Sequence, residues 1–266
     1  MDNLINRAAR SFAFCLLAWL GTGVLQGWGG AGDAAADAPA PPAAFTPTEQ
    51  YQEEFVVGRR VLVHPSLYQN TALWERVRQS LAEQLEEIDR VLPAEVLDKM
   101  RGVTIWAELE SNPRGGMVYH PSREWLAAHG VNPDKAKGIE IANARNFLGW
   151  RKAQPFMVLH ETAHAYHDQV LRGGYGNRRI REAYERALKT ALYDKVKYVR
   201  GETKRAYAIT NPMEFFAENS EAFFGRNDFY PFDREDLRRH DPETYRMIAE
   251  LWGVPLAEED ATPVSQ

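Results

Sequence analysis

The sequence contains a single cysteine, Cys15, among its 266 residues. Cys15 lies inside an apolar run near the N-terminus, so a chain from which this run had been cleaved would contain no cysteine. Intrachain disulfide bonds, a cysteine nucleophile and cysteine metal ligands are therefore excluded for the rest of the chain. Any reaction that the protein catalyses after such cleavage has to use histidine, carboxylate and tyrosine side chains.

An excess of positive charge is also missing. The 32 Lys and Arg residues stand against 37 Asp and Glu residues, which gives a net charge of −5 and argues against a general nucleic-acid binder. Hydrophobic residues make up 44% of the chain and charged residues 26%, which are ordinary fractions for a globular protein. The length allows one sizeable domain or two small ones, and no internal repeat is visible.

The long apolar run of the sequence extends from Phe12 to Leu25 and follows Arg7 and Arg10. Small residues come next, including alanines in the spacing that signal peptidases cleave, so we predict a signal peptide over residues 1–36. The run is short for a membrane span and contains glycines, although an uncleaved anchor is the alternative. We therefore expect a secreted or periplasmic protein with no stable membrane association after signal cleavage.

The remaining chain is divided by composition into a linker and a folded part. Residues 37–50 are rich in Ala, Pro and Asp and predict a flexible linker. Residues 51–266 predict one α+β domain that is mostly helical and contains a small mixed sheet. We expect an N-terminal α/β part over 51–150 and a helical part over 151–266.

Apolar spacing predicts the individual elements. Strands are expected at Phe55–His64 (as one strand or a short hairpin), Val103–Leu109 and Ile139–Asn143. Helices are expected at Leu73–Leu92, Pro93–Met100, Ser122–Gly130, Arg178–Leu192 and Pro242–Trp252. The segment Glu110–His120 is predicted to be a loop, whose glycines Gly115 and Gly116 would lie at a cleft.

The strongest motif lies in the helix predicted over Gln154–Leu171, which contains His160-Glu161-Thr162-Ala163-His164. Two histidines four residues apart project from one face of a helix and can reach a single ion. Neutral imidazole is a good zinc ligand, and Glu161 would lie beside the ion, where it can accept a proton from water. The alternative is a pair of core histidines that are hydrogen-bonded to neighbours.

A catalytic zinc ion usually has a third protein ligand. His167 follows on the same helix, but one straight helix rarely offers three imidazoles to one tetrahedral ion. A better source is the predicted helix from Asn211 to Gly225, where Glu214, Glu218 and Glu221 share a face. Glu214 or Glu218 would bind zinc and the other would accept a hydrogen bond from a ligand histidine. The alternatives are a capping box for Glu214 and solvent exposure for Glu218 and Glu221.

A family resemblance follows from His160-Glu161-x-x-His164, Tyr207 and Glu214-Phe215-Phe216-Ala217-Glu218. These residues are similar to the gluzincin-type metallopeptidases, in particular the group that contains the anthrax lethal factor catalytic domain and the Pro-Pro endopeptidases. The resemblance covers about a third of the chain and implies a zincin-like fold with one Zn²⁺ ion. It implies Glu214 as the third ligand, Glu218 as the partner of a ligand histidine, and Tyr207 as an oxyanion-stabilising residue. By itself, Tyr207 is typical of a packed core tyrosine, with Tyr166 and His167 as alternatives for the role.

These features predict a secreted, monomeric zinc metalloendopeptidase that acts on a protein or peptide substrate. By analogy with gluzincins, an extended substrate would pair with an exposed strand edge at Ile139–Asn143. Alternatives are a zinc amidase that acts on cell-wall peptide, an inactive binding module of the same fold, and a structural zinc site with a fourth protein ligand. The segment 172–205 carries 11 Lys and Arg against 4 Asp and Glu, which favours a solvated helical face over a positive rim that attracts anionic substrates.

Overall fold

The computed structural model of the protein describes residues 45–257. The predicted signal peptide, the first part of the predicted linker and the last nine residues lie outside this range. Regular structure begins earlier than the sequence suggests, with a 3₁₀ turn at Thr48–Gln50. This turn is held against the domain because the Asn132 amide donates hydrogen bonds to the Thr46 carbonyl and the Thr48 hydroxyl.

A five-stranded mixed sheet occupies the N-terminal part of the domain, as the predicted α+β class requires. Its strands are β1 (Gln52–Val56), β2 (Arg59–Val63), β3 (Ile105–Ala107), β4 (Met117–Tyr119) and β5 (Ile139–Ile141). The spatial order is β1-β2-β3-β5-β4. Strands β2, β3 and β5 are parallel, and the two outer strands are antiparallel to their neighbours. A separate hairpin pairs β6 (Val196–Lys197) with β7 (Thr203–Lys204).

Helices predominate, and the structure is 54% helical. They are α1 (Pro65–Tyr68), α2 (Thr71–Val91), α3 (Ala94–Met100), α4 (Arg123–Ala128), α5 (Ala144–Trp150), α6 (Met157–Gln169), α7 (Arg178–Thr190), α8 (Pro212–Phe224), α9 (Arg234–His240) and α10 (Pro242–Trp252). The expected helices are confirmed at α2, α3, α4, α6, α7, α8 and α10. Helices α1, α5 and α9 are additions that apolar spacing did not predict.

Two predictions about the sheet are wrong. The segment Glu110–His120 is not a loop throughout, because it contains strand β4. As a result, the strand at Ile139–Asn143 is not an exposed edge: β5 pairs with β3 on one side and with β4 on the other. The free edge on this side of the sheet belongs to β4.

One main core joins the sheet to the helices. It contains Val61 and Ile105 from the sheet, Leu85 from α2, Phe216 from α8 and Trp252 from α10, all of them almost completely buried. The two parts expected over 51–150 and 151–266 therefore share a core. Helix α2 is the longest helix, but its outward face is polar; among residues 45–257 no helix is long and apolar enough to cross a membrane.

Candidate metal centre

Helix α6 carries both histidines of the motif. It begins at Met157, after Phe156 as its N-cap residue, and ends at Gln169. His160 is partly exposed and His164 is buried, so the two imidazoles lie where the helix surface meets a cleft. Their rings are 4.8 Å apart at the centroids, as expected for residues one helical turn apart.

Helix α8 brings a carboxylate to these imidazoles. Asn211 caps its N-terminus by accepting a hydrogen bond from the Glu214 backbone N–H at 2.9 Å, and Pro212 occupies the first turn. The Glu214 side chain does not return to the backbone of Asn211 as a capping box would require. Instead, its Oε2 atom lies 3.1 Å from His160 Nε2 and 3.4 Å from His164 Nε2.

The spacing of these donor atoms fits a tetrahedral zinc ion. His160 Nε2 and His164 Nε2 are 3.1 Å apart, so the three donor atoms form a triangle with sides of 3.1, 3.1 and 3.4 Å. Zinc with ligands at about 2.0–2.1 Å holds tetrahedral donor atoms about 3.3 Å apart. Two imidazole nitrogens and one carboxylate oxygen are also the donor set that zinc accepts in hydrolases.

The other ring nitrogen of His160 contacts a carboxylate that the sequence did not single out for this role. His160 Nδ1 is 2.6 Å from Glu221 Oε1, a hydrogen-bond distance, and 3.8 Å from Glu218 Oε1. Glu221 therefore makes the contact that the family resemblance implies for Glu218. Both carboxylates are buried, so the alternative of solvent exposure is wrong for each of them.

Ionisable carboxyl groups are concentrated behind the two histidines. Burial, and then the charges of Asp228 and Glu221, raise the pKa of Glu218 well above its usual range. Burial and the charge of Glu221 raise the pKa of Asp228 to about 7. Burial would lower the pKa of His160, but its hydrogen bonds to Glu214 and Glu221 outweigh burial and raise it. The raised pKa values of Glu218 and Asp228 show that these carboxyl groups resist ionisation so close together, and a cation bound at the His160 ring would favour their ionised forms.

Glu214 itself is held in the ionised form. Burial would raise its pKa, but the charge of His164 and hydrogen bonds from both histidines lower it below the usual value. An ionised carboxylate is the form that binds a metal ion.

Glu161 lies next to this triangle, as the motif predicts, and is fixed by the edge strand. Its Oε2 atom accepts a hydrogen bond from the Tyr119 backbone N–H at 2.8 Å. Tyr119 is the last residue of β4, and its N–H points away from β5 because alternate residues of an antiparallel strand pair in opposite directions. The carboxylate of Glu161 is therefore held between helix α6 and strand β4.

A cleft of about 990 Å³, open to solvent, runs past these residues. Its lining includes the three candidate ligands His160, His164 and Glu214, together with Glu161, Glu221 and Tyr207. The lining also includes Asn112 and most of the residues from Arg114 to Tyr119, with Gly115 and Gly116 among them, and Trp150 and Met157. A side chain at Gly116 would collide with the Trp150 ring, at 2.7 Å from its Cε3 atom, so glycine is needed where this wall is tightest.

The two alternatives to Tyr207 lie elsewhere. The Tyr166 hydroxyl donates a hydrogen bond to the Leu251 carbonyl, and its ring stacks on Trp252 at 4.2 Å. His167 is fully buried against Phe216, and burial, with the charge of His164, lowers its pKa to about 3. Neither residue lines the cleft. His167 is also not part of the possible metal-binding group formed by His160, His164 and Glu214.

Two residues that line the cleft, Tyr119 and Tyr175, were not identified from the sequence. Tyr119 was assigned to a loop because its strand has only three residues. Tyr175 lines the cleft from a 3₁₀ turn between glycines, Gly174–Gly176, and no periodicity marks it. Glu221 did carry a signal, since it shares a helix face with Glu214, but spacing alone does not tell which carboxylate reaches His160.

No protein-family model, curated protein or solved structure matches this chain.

Proposed function

We propose that this protein is a zinc-dependent metalloendopeptidase of the gluzincin type, with a zincin-like fold, that acts as a secreted or periplasmic monomer. One observation carries the proposal. His160, His164 and Glu214 present three donor atoms at tetrahedral spacing in a cleft, with the carboxylate of Glu161 beside them. Among residues 45–257 this donor group has three members and no fourth, which favours a catalytic site over a structural one.

Zinc bound by His160, His164 and Glu214 would polarise a peptide carbonyl and acidify water. Glu161 is the general base. One of its oxygens is held by the Tyr119 N–H, which leaves the other oxygen to accept a proton from the attacking water. Glu161 then delivers that proton to the leaving amine. Tyr207 lines the same cleft, and its hydroxyl stabilises the oxyanion that develops on the carbonyl.

Strand β4 offers the surface for an extended substrate. Val118 pairs with Glu140 on β5, so the backbone groups of Met117 and the Tyr119 carbonyl face the free edge. This edge borders the cleft, and a peptide added to it would pass Glu161 and the metal ligands. The substrate strand proposed from the sequence, β5, is replaced here by its neighbour.

The substitution Glu161→Gln tests the proposal. It keeps the shape of the side chain and the hydrogen bond to Tyr119 but removes the base, so zinc should stay bound while hydrolysis falls by about 10²–10⁴-fold. The measurement is zinc content together with cleavage of a proteomic peptide library, with and without chelator. Glu185→Gln, at an exposed position on α7, is the matched control and should behave as wild type.

Each rival function has its own outcome in this experiment. A zinc amidase would leave the library intact and release amines from cell-wall peptide, with the same dependence on Glu161. A binding module would retain zinc but show no turnover, so that Glu161→Gln and wild type behave alike. A structural zinc site would show unfolding on chelation.

A further inference from the structure

Tyr175 is a second tyrosine of the cleft, and its position is built by the glycines that precede it. The chain leaves α6 through Gly173 and Gly174, both in the left-handed region with φ of +87° and +51°. A Cβ atom on Gly174 would lie 3.0 Å from the carbonyl oxygen of Asp168. These two glycines reverse the chain, so Tyr175 returns to α6, where its ring contacts His167, and it lines the cleft.

The ring of Tyr175 is held by packing. It meets the buried imidazole of His167 edge to face, with centroids 5.0 Å apart and planes at 78°. His167 in turn packs on Phe216 from α8. The ring therefore has a fixed support that does not involve its hydroxyl group.

The hydroxyl group of Tyr175 differs from those of four buried tyrosines. Buried tyrosine hydroxyls usually find a hydrogen-bond partner, since leaving one unpaired is costly. The hydroxyls of Tyr51, Tyr119, Tyr166 and Tyr193 donate to Glu108, Asp168, the Leu251 carbonyl and Asn219, respectively. Tyr175 is only partly buried, and within residues 45–257 its hydroxyl, in the cleft wall, makes no such bond, so water can reach it. A group bound in the cleft can therefore accept its hydrogen bond in place of water.

We infer that Tyr175 is a substrate-binding residue, whose hydroxyl donates a hydrogen bond to a backbone carbonyl of the peptide lying in the cleft. The inference rests on the proposed function and adds a specific contact to it. Burial, followed by the nearby Tyr119, Asp168, Glu161 and Glu214, raises the pKa of Tyr175 well above its usual value, so the group remains a donor at neutral pH.

The acceptor is an uncharged carbonyl and not the oxyanion of the transition state. In the proposed mechanism Tyr207 stabilises the oxyanion, and Tyr175 lines the cleft from a different segment, so the acceptor assigned to Tyr175 is a carbonyl whose charge does not change in the reaction. Tyr175 should therefore stabilise the bound substrate and the transition state by the same amount. Such uniform binding affects KM and leaves kcat nearly unchanged, whereas Tyr207 should affect kcat.

The test compares Tyr175→Phe with wild type on the library peptide that wild type cleaves best. Phenylalanine keeps the ring contact with His167 and removes the donor alone. KM should rise about tenfold with kcat within about twofold, because one neutral hydrogen bond to substrate is lost. In the Glu161→Gln background, the dissociation constant of the same uncleaved peptide should rise by a similar factor. Tyr68→Phe, on exposed α1, is the matched control and should change neither.

Zinc affinity and melting temperature separate binding from a structural role, and both should be unchanged in Tyr175→Phe. Unchanged KM and peptide affinity, a fall in kcat alone, or a loss of zinc affinity would each overturn the inference. If wild type cleaves peptides and Tyr175→Phe is identical to it, the assignment of Tyr175 fails and the proposed function stands. If zinc-loaded wild type cleaves no peptide, both are wrong.

Discussion

His160 contacts a carboxylate through each ring nitrogen, Glu214 at Nε2 and Glu221 at Nδ1. A carboxylate that accepts the Nδ1–H bond fixes the tautomer of a ligand histidine, so that Nε2 faces the metal, and makes the ring more basic. Glu218 lies one turn earlier on the same helix and is 3.8 Å from Nδ1, beyond hydrogen-bond distance. Glu221 is therefore within hydrogen-bond distance of His160 Nδ1, whereas Glu218, on the same face of α8, is not.

Glu221→Gln should weaken zinc binding by about 10–100-fold, because the amide is a poorer acceptor for the His160 Nδ1–H group. The measurement is zinc affinity by competition with a chromophoric chelator at pH 7.5. Glu218→Gln is the matched control and should lower affinity less, since Glu218 makes no hydrogen bond to the ring. Equal losses in the two variants would contradict the assignment of Glu221.

A second prediction concerns pH and a buried ion network on the sheet. The Lys135 ammonium contacts Glu108 Oε1 at 2.6 Å and Glu140 Oε1 at 2.8 Å, and His120 contacts the other oxygen of Glu140. Burial would raise the pKa of Glu140, but the hydrogen bond from His120 and the charge of Lys135 lower it from 4.5 to about 2. A lowered folded pKa means that Glu140 contributes stability above pH 4.5, which is lost as pH falls towards 2.

Glu140→Gln should therefore reduce the free energy of unfolding at pH 6 by about 3–5 kcal/mol, the usual cost of removing one partner of a buried pair. The variant should also lose less stability than wild type between pH 4.5 and pH 2, because the titrating group is gone. Urea unfolding at pH 6 and pH 3 measures both effects. Glu86→Gln, at an exposed position on α2, should match wild type at both pH values. Parallel pH profiles for wild type and Glu140→Gln would be inconsistent with this account.

At the residue scale, the sequence alone identifies part of the site. The four-residue spacing of His160 and His164 and the helical face shared by Glu214, Glu218 and Glu221 are local properties, so they could be predicted. Which carboxylate reaches Nδ1 depends on how α6 and α8 cross, and a helical period does not contain that information. Tyr175 could not be predicted because its position depends on a chain reversal at two glycines.

At the element scale, the N-cap of α8 connects stability to metal binding. Asn211 accepts a hydrogen bond from the backbone N–H of Glu214, so the cap and the proposed third zinc ligand share one helical turn. Asn177 caps α7 in the same way by accepting the N–H groups of Arg179 and Ile180, but α7 provides no ligand. The two asparagines form a matched pair, of which only Asn211 caps a helix that carries a proposed metal ligand.

Asn211→Ala should destabilise the protein by about 1 kcal/mol, which corresponds to about 2–4 °C in melting temperature for a domain of this size. It should also weaken zinc binding several-fold, because the turn that holds Glu214 loses its cap. Asn177→Ala should cost similar stability and leave zinc affinity unchanged. Differential scanning calorimetry and zinc titration of both variants check this. Equal zinc affinity in the two variants would show that the cap does not hold Glu214.

Long elements could be predicted and short ones could not. The apolar spacing of Leu73, Val77, Leu81, Leu85 and Ile88 specifies α2 without help from the rest of the fold. Strand β4 has three residues, and it is a strand because β5 pairs with it, which is a tertiary property. For the same reason β4 was not predicted from the sequence, and β5 was wrongly expected to form the exposed strand edge.

At the scale of the whole molecule, the fold class was predicted because periods of 2.0 and 3.6 alternate along the sequence in the manner of an α+β chain. How the helices pack against the sheet could not be predicted, since that packing depends on contacts between residues that are distant in sequence. Trp252 from α10 illustrates this: its ring stacks on Tyr166 of α6 and on Phe216 of α8, the two helices that carry the proposed metal ligands. Nothing near Trp252 in the sequence indicates these partners.

The central claim is that one zinc ion binds where α6 and α8 meet, and a zinc titration of the whole protein tests it most directly. Wild type should bind one zinc ion per chain, and Glu214→Ala should bind zinc at least about 100-fold more weakly, since a ligand is lost. Glu218→Ala is the control from the same helix face and should keep one zinc ion per chain. Unchanged zinc stoichiometry and affinity in Glu214→Ala, or no zinc binding by wild type, would contradict the account.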